Sequence, residues 1–385
     1  MALTQRKGER MRHHDTMLGA ASSAAPVAPF PTQSSGAAVR DSVEPPALPV
    51  RESEYTELKR LIKLRGLLDK QPAYYAYQLL LASGMLALSL SLLLVTDNLA
   101  LQLLNAAFLA FVFTQIAFIA HDAGHRQIFH STRKNDIFSL FLGNLVLGLS
   151  RGWWVDKHNR HHANPNHTDL DPDIDIPILA FSEGQALCKQ GFPRFMVKYQ
   201  AYLFFPLLLL EAFYLLIHST RFLFKKGVKK YLLAETLLLV AHITLYSGLL
   251  FYLLGAWSAV LFIVVHRALF GLYLGSSFAP NHKGMPVLDK DNQMDSLRRQ
   301  VLTSRNLKAL PGTDFLFGPL GCQIEHHLFP SMSRNNLREA EKIVKVFCQE
   351  RSIAHHETSV LQSYREILQH LHQVSAPLRG KKCRR

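Results

Sequence analysis

The sequence predicts an all-α integral membrane protein, with four transmembrane helices in two hairpins, interfacial helices, and a cytosolic helical cap. Three observations lead to this prediction. Nearly half of the 385 residues (48%) are hydrophobic, and the mean hydropathy is positive. Several apolar stretches reach the length of a membrane span. Histidines cluster at the edges of those stretches, and packing alone does not explain so many titratable rings there. A metal site held by the cap is therefore expected.

The two ends of the chain differ from its middle. Residues 1–50 are rich in Ala, Ser, Pro and Val without a helical period, which predicts a disordered tail. Their basic start is not followed by a compact apolar core and cleavage site, so no signal peptide is expected. Residues 51–345 are predicted to form the membrane domain with the functional site, and 346–385 a C-terminal helix with a basic tail.

Apolar residues are concentrated in six stretches, at about 74–95, 98–120, 136–150, 200–217, 231–253 and 256–275. A helix needs about 20 residues to cross the hydrocarbon core. The stretch at 136–150 is too short, and 200–217 is marginal with Glu211 inside it. The other four qualify and pair into hairpins, because the connections at 96–98 and 255–258 are short and carry no Lys or Arg. Those two tips are predicted on the non-cytoplasmic side.

Basic residues flank the open ends of both hairpins. They are Arg51, Lys59, Arg60, Lys63 and Arg65 before the first hairpin, and Arg221, Lys225, Lys226, Lys229 and Lys230 before the second. The positive-inside rule places these flanks, and with them both termini, in the cytoplasm. If His121, His161 and His326 share one site, they lie on the same side of the membrane. The stretches 136–150 and 200–217 then cannot cross, and both are expected to be interfacial or re-entrant helices.

The net charge and the cysteines exclude other classes of protein. The formal charge of +14 is compatible with nucleic-acid binding, but the basic residues lie beside apolar segments and at the chain ends. Since no stacking or groove-reading motif accompanies them, we expect membrane lipid rather than nucleic acid as the partner.

The four cysteines form no CxxC pair, so neither a disulfide framework nor a thiolate metal site is predicted.

Three histidine clusters carry the chemistry: HDAGH at 121–125, HNRHH at 158–162 and QIEHH at 323–327. Within a cluster the spacing of three or four residues brings rings to one face of a helix. Imidazole binds iron, zinc, copper and nickel alike. Because one zinc or iron ion takes three or four protein ligands, seven histidines favour two adjacent ions. An all-histidine set leaves iron as the chemically active candidate.

Over about residues 70–345 the sequence resembles the membrane fatty acid desaturase family. Besides the three clusters, the resemblance rests on Gly152-Trp153-Trp154, Asp171-Pro172-Asp173, Pro280-Asn281-His282 and His327-Leu328-Phe329-Pro330-Ser331. It implies four spans, cytosolic histidine boxes and a non-haem di-iron centre. That centre would use O2 and two electrons to form a cis double bond in a fatty acyl chain, carried by CoA or a lipid. By position, the resemblance implies eight iron ligands: His121, His125, His158, His161, His162, His282, His326 and His327.

Two departures from common family patterns bear on function. The third cluster begins with Gln323, a variant typical of the front-end branch, which desaturates between an existing double bond and the carboxyl end. The same variant also occurs in some bacterial acyl-CoA desaturases of other regioselectivity. As a candidate catalytic residue, Gln323 would bind iron through its carbonyl, hold a water, or stay outside the ligand set; the sequence does not choose among these. Many front-end enzymes carry a fused cytochrome b5 domain with an HPGG motif, and no HPGG occurs here. Electrons are therefore expected from a separate reductase, ferredoxin or cytochrome.

Further candidates surround these residues. Asp122, Asp169, Asp171, Asp173 and Asp175 would orient the ligand rings, with a solvated acidic loop as the equal alternative for the last four. Trp153 and Trp154 would shape an apolar tunnel or anchor the chain at the membrane interface. His242 and His266, isolated in apolar stretches, are expected to have structural roles.

Two other functions compete with desaturation. A lipid hydroxylase or other oxygenase would use the same di-iron centre, and the QxxHH form of the third cluster favours the desaturase. A membrane metal transporter is the alternative from another class. Transport sites usually lie near mid-bilayer within broken helices, whereas these histidines lie outside the predicted spans.

Overall fold

The computed structural model describes residues 53–225, 227 and 230–380. The predicted tail 1–50, Arg51, Lys226, Lys229 and residues 381–385 lie outside the described residues. The described chain is mostly helical, as the sequence predicts. Its α-helices, in chain order, are α1 Glu54–Leu64, α2 Pro72–Val95, α3 Leu99–Gly124, α4 Thr132–Leu140, α5 Arg151–Ala163, α6 Glu183–Cys188, α7 Gly191–Lys198, α8 Gln200–Leu208, α9 Glu211–Leu223, α10 Leu232–His282, α11 Ser296–Leu302, α12 Thr313–Phe317, α13 Gln323–Leu328, α14 Leu337–Glu350 and α15 Val360–Val374.

One short parallel strand pair departs from the all-α prediction. Strand β1 (Asn306–Leu307) pairs with β2 (Glu357–Thr358). A strand of two residues leaves no detectable alternation of polar and apolar positions, so the sequence does not reveal it. The pair brings the segment after α11 alongside the segment before α15.

Helices α2 and α3 form the first expected hairpin. Asn98 begins α3 by accepting a hydrogen bond from the backbone N–H of Leu101 at 3.1 Å. Farther from the tip, the buried Ser89 hydroxyl in α2 donates to the Asn105 side chain in α3 at 2.7 Å. Sliding one helix along the other would leave both buried groups unpaired, so this contact helps to fix the register.

Helix α10 is two antiparallel arms rather than one rod. Gly255, with φ 71° and ψ 169°, breaks it near its middle. Tyr246 hydrogen-bonds to His266 at 2.6 Å, and Arg267 to His242 at 2.8 Å. On a straight helix His242 and Arg267 would be separated by roughly 40 Å, at 1.5 Å per residue. The chain therefore folds back at Gly255, within the connection expected from the sequence, and these two histidines join the arms.

The two shorter apolar stretches form short helices with a break or a change of pitch. Helix α4 continues into a π-helix, Phe141–Leu147, which ends at Gly148 in the left-handed conformation (φ 74°). The second stretch is divided into α8 and α9, whose axes are bent by 71°. By length and apolar composition α2, α3 and α10 could each cross a membrane, and the α8–α9 pair passes the same test only as a bent unit.

One apolar core lies among the long helices α3 and α10. A second apolar core is formed by α1 and by helices that follow α10. Leu58 of α1 packs in this core with Ile324 of α13 and Val344 of α14. Helix α15 packs elsewhere, through Ile367, against Phe204 of α8. The C-terminal ends of α3 and α10 meet α5 and α13 beside this second core, and that meeting point holds the histidines.

Candidate metal centre

All eight histidines predicted as ligands lie together, although they come from four different helices. His121 is in the last turn of α3 and His125 follows that helix directly. His158, His161 and His162 are in α5, His282 is the last residue of α10, and His326 and His327 are in α13. The cluster therefore joins the ends of both hairpins to α5 and α13.

Four of these histidines form a first group. His121, His125, His158 and His326 each present one ring nitrogen, and the four atoms lie within 4.8 Å of one another. Among the described residues, Nε2 of His121, Nε2 of His125 and both ring nitrogens of His326 are buried without a hydrogen-bond partner. Buried polar atoms are nearly always paired. Unpaired imidazole nitrogens that face one another fit a metal ion, which takes up their lone pairs.

His161, His282 and His327 form a second group, in which every ring is buried. Nε2 of His282 lies 3.2 Å from Nε2 of His161 and 3.0 Å from Nε2 of His327. The opposite nitrogen, Nδ1, has its own partner in each ring. In His161 it contacts the Asp171 carboxylate at 3.0 Å, and in His282 the Thr303 carbonyl at 2.9 Å. In His327 it contacts the Gln300 side-chain oxygen at 2.8 Å. With Nδ1 donating, each Nε2 lone pair points to a common centre, as in metal-binding histidines.

His162 lies between the two groups. Its Nε2 is 3.1 Å from Nε2 of His158, and its ring stacks on that of His327 with the centroids 4.1 Å apart. The His162 ring also lies close to two rings of the first group, with centroid distances of 4.6 Å to His125 and 4.8 Å to His326. His162 therefore contacts rings of both groups.

Burial and mutual repulsion keep several of these rings neutral. Burial, reinforced by neighbouring imidazoles, holds the pKa of His158, His162, His326 and His327 well below the usual value. Neutral imidazole is the form that binds metal. Seven imidazoles in two groups, with His162 between them and no thiolate among these eight donors, fit two neighbouring ions better than one.

The comparison with known proteins agrees with this geometry. A family model for fatty acid desaturases matches residues 98–359, a range that contains all eight histidines. The chain belongs to the fatty acid desaturase family.

Individual relatives in the family carry specific names. The chain is 30% identical to the acyl-lipid (9-3)-desaturase of Physcomitrium patens, over 87% of its own length and 65% of that protein. It is also 30% identical to the Delta(6)-fatty-acid desaturase of Caenorhabditis elegans, over 85% of this chain and 76% of the relative. Identity to the Delta 8-(E)-sphingolipid desaturase of Emericella nidulans is 27%, over 89% and 66%. The chain thus spans just under two thirds of the length of the Physcomitrium patens and Emericella nidulans proteins.

In this member of the family, Gln323 lies beside the second group of histidines. Its side-chain nitrogen is 2.9 Å from Nε2 of His282, and its oxygen accepts a hydrogen bond from the Asn281 side chain at 3.0 Å. The residue is buried, with 3% of its surface exposed. The amide of Gln323 therefore borders the second group, on the side where the Nε2 atoms converge.

The carboxylates divide into two kinds. Asp171 and Asp173 surround His161, with Asp173 at 3.6 Å from Nδ1, while Asp169 and Asp175 are exposed. Burial alone would raise the pKa of Asp171, but the imidazole of His161 brings it below its usual value, so the carboxylate is ionised. The acidic loop is thus partly a solvated segment and partly a support for one ring.

A further support combines Asp122, which the sequence predicts, with Arg334 and Tyr75, which the sequence analysis did not single out. Asp122, fully buried, lies 3.2 Å from Nδ1 of His121 and accepts hydrogen bonds from the Arg334 guanidinium at 2.8 Å and the Tyr75 hydroxyl at 3.2 Å. Gln300 and Thr303, which orient rings of the second group, were missed as well. An isolated Gln, Thr, Tyr or Arg carries no spacing signal, so only its position in space reveals this role.

Trp154 covers the first group. Its indole stacks on the His158 ring with centroids 4.5 Å apart, and contacts those of His121 and His125 at 5.3 and 5.8 Å. Helix α3 makes room for it with Gly124, where an added Cβ would lie 2.3 Å from the indole. A large apolar ring over three imidazoles limits the access of water to that side of the site.

Proposed function

We propose that the protein is an O2-dependent desaturase that introduces a cis double bond into a fatty acyl chain, with a non-haem di-iron centre and electrons from an external donor. The observation that carries this proposal is the pair of histidine groups, in which unpaired or convergent ring nitrogens fit two adjacent ions. The desaturase names of the relatives support the same activity.

The first ion would be held by the first group and the second by the second group, with His162 between them. Such a centre would supply the strong oxidant that breaking an unactivated C–H bond requires and that side chains alone do not provide. The protein's own contribution is orientation. Asp171, Thr303 and Gln300 fix the Nδ1–H tautomer of the second group, and Asp122 supports His121.

Gln323 is proposed to act from beside the second ion rather than as one of its main ligands. Its oxygen is engaged by Asn281, and its nitrogen faces His282. An amide held in this way can donate a hydrogen bond into the site, where a buried donor is stronger than in water. Of the alternatives open from the sequence, the position outside the ligand set is therefore the one we adopt.

We further propose four membrane spans, formed by α2, α3 and the two arms of α10, with the metal centre and both termini in the cytoplasm. The basic residues of the flanks at 59–65 and 221–230 support this orientation. The bent pair α8–α9 and the α4 region would then lie at the interface, as parity requires.

The substrate class and partners follow from this placement. We propose a fatty acyl chain linked to CoA or to a lipid as substrate, membrane lipid as surroundings, and a separate reductase, ferredoxin or cytochrome as electron donor. The relatives named for acyl lipids and for sphingolipids favour a lipid-linked acyl group. Nucleic acid has no place in this scheme, since the positive charge accompanies the apolar segments.

The competing functions make different predictions from the same site. A di-iron hydroxylase shares the C–H cleavage step and differs in releasing an alcohol. A metal transporter would need its ligands along a path across the membrane. The histidines here gather at helix ends, on one side of the hairpins, which favours catalysis over transport.

The deciding experiment is expression in a host of known lipid composition, followed by mass spectrometry that locates new double bonds. We expect a new unsaturated acyl species, absent when His161→Ala is expressed at the same level. A hydroxylated lipid without a new double bond would favour the oxygenase. Metal uptake that is lost in His161→Ala, with no change in lipids, would favour the transporter.

A further inference from the structure

The largest fully buried side chain of the described residues is Arg305, which lies next to the second histidine group. Its Nε donates to the backbone carbonyl of Pro280 at 2.7 Å, and one terminal nitrogen donates to the carbonyl of Lys283 at 2.8 Å. The other terminal nitrogen pairs with the Glu366 carboxylate at 2.5 Å. A buried guanidinium whose three nitrogens all donate hydrogen bonds holds its acceptors in a fixed geometry.

The two carbonyls belong to the turn that presents His282. The last carbonyls of a helix have no partner within it, and a cation there also compensates the helix dipole. Arg305 satisfies two carbonyls on either side of His282, and its own backbone N–H donates to the Asn281 carbonyl at 2.9 Å. Two residues earlier, the Thr303 carbonyl accepts from Nδ1 of His282. One short segment therefore holds both the ring and the backbone of this histidine.

Glu366 connects Arg305 to α15. It lies in α15, beyond residue 359, where the match to the family model ends. Helix α15 is held against the end of α10 by the Tyr364 hydroxyl, which donates to the Ser276 carbonyl at 2.9 Å. At Gly284, with φ 86°, an added Cβ would lie 3.3 Å from the Glu366 carbonyl oxygen. The carboxylate is thus placed by backbone contacts as well as by its own hydrogen bonds.

The ion pair is asymmetric. The Arg305 side chain is fully buried, whereas that of Glu366 is 24% exposed and also contacts His356 at 3.1 Å. Removing the carboxylate would leave a buried guanidinium without its counter-charge, which is costly. The guanidinium would then shift toward other acceptors, and the carbonyls around His282 would lose a fixed donor.

We propose that Arg305 and Glu366 are positioning residues for His282, so that the C-terminal helix α15 is a functional part of the second half of the metal centre. This inference rests on the proposed two-ion site. It predicts that disturbing the contact made by Glu366, more than 80 residues from His282 in sequence, weakens the binding of the second ion and leaves the binding of the first unchanged.

The experiment compares iron binding by four variants of the full chain. Arg305→Lys keeps the positive charge but cannot reach three acceptors, and Glu366→Gln keeps a hydrogen-bonding oxygen without the charge. His282→Ala is the benchmark for loss of a ligand from the second group. Arg351→Lys is the matched control, because Arg351 joins α14 to Glu57 of α1 at 2.7 Å and is not among the contacts of the ligand histidines. Each protein is purified in detergent, reconstituted anaerobically with graded Fe²⁺, and assayed for bound iron and thermal unfolding.

We expect the wild type and Arg351→Lys to bind two ions per chain, and Arg305→Lys to resemble His282→Ala, with second-ion affinity lower by about 10- to 100-fold and first-ion affinity unchanged. Glu366→Gln should show the same selective loss to a smaller degree. Equal second-ion affinity in Glu366→Gln and the wild type overturns the proposal, even where Arg305→Lys does not fold. A wild type that binds fewer than two ions overturns the proposed function itself, and the inference with it.

Discussion

Nδ1 of His161 lies 3.0 Å from the Asp171 carboxylate, with both side chains buried. The same carboxylate accepts hydrogen bonds from the backbone N–H groups of Asn166 and Asp173, each at 2.8 Å. The carboxylate is therefore held by its own loop before it orients the ring. Nε2 of His161 is left to face His282 and the centre of the second group.

Asp171→Asn should weaken the second ion. The amide keeps the size of the side chain, but it lacks the charge that favours the Nδ1–H tautomer of His161. Iron titration should show a loss of about 10- to 100-fold in affinity at that site, with a parallel fall in desaturation. Asp175→Asn, at an exposed position of the same loop, serves as the control and should behave as the wild type. Equal losses in both variants would contradict the role assigned to Asp171.

Gly124→Ala should disturb the first group. The added methyl would collide with the indole of Trp154, which stacks on His158. Overpacking of this kind costs about 1–3 kcal/mol, and moving the indole would also shift the ring that it covers. We expect a lower thermal midpoint and less bound iron. Gly84→Ala in α2 is the matched control, because nothing lies within 4 Å of its added Cβ.

Gln323→Leu should lower the rate of desaturation at least about tenfold while both ions stay bound. The reason is the loss of one buried hydrogen-bond donor, which contributes about 1.5 kcal/mol or more. The replacement keeps an apolar body of similar size but cannot donate or accept. Product analysis and iron content are measured on the same preparation. Loss of one ion would identify Gln323 as a ligand instead, and unchanged activity would remove it from the site.

The iron-free protein should lose stability as the pH falls through about 6.5, the pKa of histidine in an unfolded chain. In the folded state, burial and neighbouring imidazoles hold the pKa of His158, His162, His326 and His327 well below that value. Above pH 6.5 both states are neutral and these groups contribute no pH dependence. Below it, only the unfolded chain takes up protons, so unfolding is favoured.

This pH dependence is measured as the thermal midpoint of the metal-free protein between about pH 8 and 5, and replacing His158 by Gln should reduce its slope by removing one such group. Iron affinity should fall over the same range, since protons compete for the ring nitrogens. A midpoint that is constant down to pH 5 would be inconsistent with four neutral buried rings.

Gly255→Ala should destabilise the second hairpin. With φ 71° and ψ 169°, Gly255 occupies a region that is essentially restricted to glycine, and a side chain there costs about 1–3 kcal/mol. Nothing lies within 4 Å of an added Cβ, so the effect is one of backbone conformation alone. Gly248→Ala, inside the preceding arm and equally free of contacts, should instead be neutral or stabilising, by up to about 1 kcal/mol. Thermal unfolding in detergent compares the two.

Much of the fold could be predicted because its signals are local. Runs of apolar residues identify α2, α3 and the arms of α10, and the short connections at 96–98 and near Gly255 identify two hairpins. The 71° bend between α8 and α9 had no such signal beyond Glu211 in an otherwise apolar stretch. The pairing of β1 with β2 joins residues about fifty positions apart and has no local pattern at all.

The sequence by itself determined which side chains could bind metal, because the spacing of the three clusters brings histidines onto common helix faces. Only the tertiary structure decided how they divide. His158 and His161 share α5, yet they belong to different groups, as do the adjacent His326 and His327. Successive residues on a helix point about 100° apart, so each helix can serve two centres. Which ring faces which centre depends on the rotation of that helix against its neighbours. Long-range contacts help to set that rotation: Gln300, for example, bonds both the His162 carbonyl of α5 and the His327 ring of α13.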